Sequence, residues 1–203
     1  MENQLQHRWT KLLSTFDIDQ NQVNSLFNEI ASKYTESHRQ YHNLDHIELM
    51  LDLSTVYSFS EELQLAIWFH DVIYNPLRSN NESKSANYAY LKLSELGFPN
   101  NTIQEIKRLI ELTKTHNTSP NDTLGKQLLD LDLAILGSDP ETYSNYVQCI
   151  RKEYHMYPDL VYKPGRVKVL KSFLNRDALF QTKELKHLEL QAIENIKNEL
   201  LTL

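Results

Sequence analysis

Residues 62–74, ELQLAIWFHDVIY, decide the fold class. Leu63, Ala66, Ile67, His70 and Tyr74 recur at three- and four-residue steps, the period of a helix and not of a strand. The same step continues outward in both directions. It predicts helices over about 4–16, 20–34, 45–57, 61–73, 82–96, 101–115, 122–136, 141–157, 166–174 and 184–201. Only four Gly and six Pro interrupt them. Ser79-Asn80-Asn81-Glu82 fits a capping box, Gly97-Phe98-Pro99 and Gly137 with Pro140 stop helices, and Lys163-Pro164-Gly165 reads as a turn. The expectation is an all-α helical bundle in a single domain over 1–203, with a core at about 20–137 and accessory helices at 138–203 packed on it.

Composition narrows the function classes. The 203 residues carry 21 basic and 27 acidic side chains, a formal charge of −6. That balance, without any block of like charge, argues against a protein whose affinity comes from neutralising a nucleic-acid polymer or a membrane surface. Forty per cent hydrophobic residues suffice for a core at this length. The single cysteine, Cys149, excludes an internal disulfide framework and Cys-rich zinc sites, so a metal would be held by His, Asp and Glu. No run is long enough to span a bilayer, and the start, MENQLQHRWTKLL, is too polar for a signal peptide. A cytoplasmic location is the expectation.

Ionisable residues on apolar helix faces carry the chemistry, because burying a charge without a partner is costly. His70 lies in the stripe of Leu63, Ala66 and Ile67, and Asp71 follows it directly. In residues 41–53, YHNLDHIELMLDL, His46 shares a face with Leu49, Met50 and Leu53, whereas Asp45 lines up outward with Glu48 and Asp52. In residues 123–137, TLGKQLLDLDLAILG, Asp132 is centred among Leu128, Leu129, Ile135 and Leu136, while Asp130 falls with Lys126 and Gln127 and reads as outward. Ile103, Ile106, Leu109 and Ile110 lead to His116. Two imidazoles and two carboxylates from three helices, His46, His70, Asp71 and Asp132, are the donor set of a divalent cation. A buried His-Asp hydrogen-bond network is the alternative.

The order His46, His70-Asp71, Asp132, with His70 following His46 by 24 residues and Asp132 following Asp71 by 61, resembles the signature of the HD superfamily of metal-dependent phosphohydrolases. Tyr41-His42-Asn43-Leu44-Asp45-His46 is similar to the YHNxxH stretch of cyclic-nucleotide phosphodiesterases. That likeness implies His42 as the general acid on the leaving oxygen and His46 as a metal ligand. It departs after the HD pair, where those enzymes continue with a further His and then a Gly and this chain has Val72-Ile73-Tyr74-Asn75. The departure argues against cyclic nucleotides as substrates. Over most of its length, including WFHDVIYN (68–75), NNES with Ser85-Ala86, LDLDLAILG (129–137) and PGR followed by VL and FL after Pro164, the chain resembles a group of bacterial HD hydrolases. The resemblance implies an HD-type helical domain.

The implied activity is hydrolysis of a phosphate ester of a small metabolite or nucleotide. Four protein ligands, His46, His70, Asp71 and Asp132, would leave positions for water and a phosphoryl oxygen in a six-coordinate ion, which favours Mn, Fe, Co, Ni or Mg. Asp71 is thereby a catalytic residue together with His42. Glu82 and His116 are the candidates for a second cation bridged by Asp71. Arg166, Lys163 and Lys114 are candidate phosphate contacts. Tyr41, Trp68, Phe69 and Tyr74 flank the motif and are either core or a stacking surface for a base. Two further readings stay open: an HD-type di-iron oxygenase, and a metal- or nucleotide-binding module without turnover.

Overall fold

The computed structural model describes residues 2–203. Among them every regular element is helical, and no helix is long and apolar enough to cross a membrane. Two compact units divide the chain between Ser119 and Pro120, ahead of the point where the sequence reading begins its accessory layer.

The first unit holds α1 (Glu2–Leu13), α2 (Gln20–Tyr34), α3 (Leu44–Val56), α4 (Glu61–Phe69), α5 (Asn81–Glu95) and α6 (Asn100–Leu112). Asp19, Asn43 and Ser60 cap α2, α3 and α4 by accepting backbone N–H groups of the following turn. Helix α4 is central, with Leu63, Leu65, Ala66, Ile67, Trp68 and Phe69 all fully buried. A helix apolar all round belongs in the middle of a bundle. Trp9 and Phe27 bring their rings edge-on to Trp68 with centroids 5.4 and 6.1 Å away. Helix α6 packs along both α4 and α5. Buried Ser85, Ala86 and Ala89 give α5 the small face that close helix contact needs.

Helix α4 ends at Phe69, four residues before the expected end, so His70 and Asp71 stand on a turn. The cause is local. Continuing the helix would bond the carbonyls of Asp71 and Val72 to the N–H groups of residues 75 and 76. Pro76 has no N–H, and the Asn75 N–H donates to Asn81 Oδ1 at 3.1 Å. The capping box at Ser79–Glu82 is also not formed. Asn80 precedes α5 without a side-chain cap bond.

The second unit holds α7 (Thr123–Asp132), a 3-10 turn (Ala134–Gly137), α8 (Pro140–Glu153), α9 (Asp159–Leu174), a 3-10 turn (Lys186–Leu188) and α10 (Glu189–Thr202). Gly137 permits a close crossing, since a Cβ there would stand 2.5 Å from that of Leu188. The expected turn at Lys163–Gly165 lies inside α9. Pro164 is tolerated because the carbonyl it leaves unbonded belongs to Leu160, whose residue is 91% exposed and open to water. Asp130, read from the sequence as outward, is fully buried, and Asp132 is only half-buried. Asp130 accepts from the Gln181 and Thr182 backbone N–H groups and from the Thr182 hydroxyl at 2.7–3.0 Å. Burial raises its pKa, against the opposing pull of those donors.

Candidate functional site

The first unit brings four of the sequence-predicted residues together. Asn43 Oδ1 accepts the N–H groups of Asp45 and His46 at 2.9 and 3.4 Å, which starts α3 so that His46 turns inward and is 2% exposed. His70 is fully buried, and its Nδ1 lies 2.8 Å from the Ile67 carbonyl. A carbonyl only accepts, so Nδ1 carries the proton and Nε2 presents its lone pair. That lone pair faces His46 Nε2 at 3.2 Å. Two imidazole nitrogens so placed share either a proton or a cation. Neighbouring ligands at about 2.1 Å from one ion stand about 3 Å apart, so the spacing suits a cation.

Asp71 adds an oxygen. Its Oδ2 is 3.3 Å from His70 Nε2 and 4.0 Å from His42 Nε2. His42 lies on the loop between α2 and α3, with a fifth of its side chain exposed, and its ring stacks on Tyr74 with centroids 4.3 Å apart. Tyr41 packs against both His42 and His46, with ring centroids 5.0 and 4.9 Å away. Trp68 and Phe69 are buried in the core and offer no surface to a base.

Other predicted residues lie on other elements. Asp132 is the last residue of α7, in the second unit. His116 closes α6 with φ of +50°, its N–H bonded to the Leu112 carbonyl at 2.9 Å. Glu82 is half-buried on the first turn of α5, and its Oε2 is buried without a hydrogen-bond partner. Lys114 is exposed and Lys163 half-buried. Arg166 is buried in the second unit, where Nε and Nη2 donate to Glu199 at 2.7 and 3.0 Å and Nη1 to the Tyr146 hydroxyl at 3.2 Å. Tyr143 donates to the same Glu199 at 2.6 Å. Burial and then this carboxylate raise the Tyr143 pKa. A phosphate at Arg166 would have to displace Glu199.

Sequence reasoning passed over Arg39, which does more for the geometry than any other residue of the loop. Its side chain is wholly buried. Nη1 donates to the carbonyls of His42 (3.0 Å) and Asp71 (2.7 Å), and Nη2 to that of Val72 (3.1 Å). Tyr34, also fully buried, accepts the Asp71 N–H at 3.3 Å and donates to the Trp68 carbonyl at 3.1 Å. No periodicity marks Arg39, because it stands in a loop. The only signal was that the HD turn ends in Pro76 and so must find donors elsewhere. The chain matches no family model, no curated protein and no solved structure.

Proposed function

We propose that the protein is a metal-dependent phosphohydrolase acting on a phosphate ester of a small metabolite or nucleotide. The observation that carries the reading is the buried His46–His70 pair at 3.2 Å with Asp71 Oδ2 3.3 Å from the same nitrogen. With it goes the resemblance of His46, His70-Asp71 and Asp132 to the HD signature. In that signature Asp132 is the fourth ligand. A divalent cation held there, Mn, Fe, Co, Ni or Mg, supplies a Lewis acid for the phosphoryl oxygen and lowers the pKa of water. His42 donates a proton from Nε2 to the leaving oxygen, kept upright by the Tyr74 ring. Asp71 would serve as a ligand, its Oδ2 also facing His42 at 4.0 Å. Lys114 and Lys163 are the proposed phosphate contacts, Arg166 being engaged by Glu199. A second cation would take Glu82 and His116, with the buried Glu82 Oε2 as the observation in its favour.

The test is elemental analysis of protein purified without chelator, beside Asp71→Ala and His70→Ala, followed by hydrolysis assays on a panel of small phosphoesters. One or two equivalents of metal, lost in folded variants, with release of phosphate by the wild type, is the expected result. No metal, and no uptake of Mn, Fe, Co, Ni or Mg, overturns it and leaves a buried polar network. Consumption of dioxygen without phosphate release would assign the site to the oxygenase reading. Bound metal with neither activity would assign it to a binding module.

A further inference from the structure

The segments that carry the candidate acid and the HD pair are far apart in sequence, and neither is held by helix hydrogen bonds. His42 lies in the connection between α2 and α3. The carbonyls of Asp71 and Val72 have lost the donors that a continued α4 would give them, Asn75 N–H to Asn81 and the missing one to Pro76. Arg39 meets all three carbonyls with one guanidinium, while its Nε donates to Glu36 Oε2 at 3.2 Å. Two aromatic rings pack against the guanidinium. Cζ stands 5.0 Å from the Tyr34 ring centroid and 5.4 Å from that of Tyr74.

We propose that Arg39 is a positioning residue: its planar fork sets the spacing between His42 and the His70–Asp71 turn, and so the gap in which a ligand is held. Both aromatic partners also touch the site. The Tyr74 ring beside the guanidinium stacks on the His42 imidazole, and the Tyr34 hydroxyl accepts the Asp71 N–H. A lysine would keep the charge but not the fork, since an ammonium is a point donor that cannot bond three carbonyls in one plane. This inference rests on the metal-site reading only for its ligand readout.

The experiment compares Arg39→Lys with wild type in two measurements. The first is the NMR signal of the His42 ring protons, shifted upfield by the Tyr74 ring stacked on them, with the indole signals of Trp9 and Trp68 reporting an intact core. The second is Mn2+ titration. The expected result is loss of the upfield shift with unchanged indole signals, and Mn2+ binding weaker by about ten- to a hundredfold, as when outer-shell supports are removed. Wild-type shift and wild-type affinity in a folded Arg39→Lys overturn the proposal. Should that variant fail to fold, Tyr74→Leu removes one face of the brace and is expected to weaken Mn2+ in the same range; unchanged affinity there also overturns it. If wild-type protein takes up no Mn2+, the metal-site reading falls and the imidazole shift of Arg39→Lys alone decides the role of Arg39.

Discussion

Each unit contains an irregular stretch of backbone held by buried or half-buried ionic side chains, and the two use opposite charge. In the first unit a cation, Arg39, donates to the carbonyls of His42, Asp71 and Val72. In the second, two anions accept from four consecutive amides. Glu189 takes the N–H groups of Leu179 and Phe180 at 2.9 and 3.0 Å, and Asp130 takes those of Gln181 and Thr182. Both solutions answer the rule that buried backbone groups need partners. The difference lies in what remains. In the second unit Asp130 and Glu189 are bonded to backbone, and Glu199 to Arg166 and Tyr143, whereas in the first the imidazoles of His42, His46 and His70 and the carboxylate of Asp71 face one another. Support by a cation leaves anionic and imidazole donors to serve a ligand.

The comparison predicts where substitutions cost stability. Arg166→Met should have the largest effect, about 3–5 kcal/mol by urea unfolding, because it leaves the Glu199 carboxyl buried without its guanidinium. The double variant Arg166→Met with Glu199→Leu should recover most of that loss. A loss below 1 kcal/mol in the single variant would mean that the second unit does not depend on the pair. Asp130→Ala should follow at about 2–3 kcal/mol, since it strands the donors of Gln181 and Thr182. Wild-type hydrogen exchange at residues 181 and 182 in that variant would contradict the anchoring role.

The helical class and nearly every helix were legible, because burial of one face imposes its period on the sequence. The inward turn of His46 and His70 was legible for the same reason. The burial of Asp130 beyond that of Asp132 was not. Two residues apart on one helix, they differ by which of them finds donors 51 and 52 positions later, at Gln181 and Thr182, and no local pattern records that. The exit of His70–Asp71 from α4 escaped the periodicity because Val72, Ile73 and Tyr74 continue an apolar run. The stop comes from Pro76, Asn81 and Arg39 together. Pro164 misled in the other direction, a helix breaker placed where the broken bond faces water.

Glu189 sharpens the contrast through pH. Burial alone would raise its pKa, but the N–H groups of Leu179 and Phe180, and Lys186 beside it, outweigh burial and hold it below the usual 4.5. A depressed carboxylate adds stability that is fully present above about pH 4.5 and is lost as pH falls through the folded-state value. Glu189→Gln should therefore cost about 1–2 kcal/mol at pH 7, and the gap from wild type should close on acidification below pH 4.5. A gap independent of pH would show that the backbone grip needs no charge.

The smallest predicted effect on stability is the most decisive for function. Asp71 is half-buried, and its carboxylate faces His70 Nε2 at 3.3 Å and His42 Nε2 at 4.0 Å. Asp71→Asn should change the stability of metal-free protein by less than about 1 kcal/mol, or raise it, as substitutions of functional residues commonly do. With Mn2+ at a hundred times its dissociation constant, wild type should gain about 2.7 kcal/mol by linkage, which at this chain length raises Tm by roughly 5–11 °C. Asp71→Asn should lose most of that rise. A metal-free loss as large as that of Arg166→Met would place Asp71 among the supports, and the distinction between a unit whose charges hold backbone and a unit whose charges face a ligand would fail.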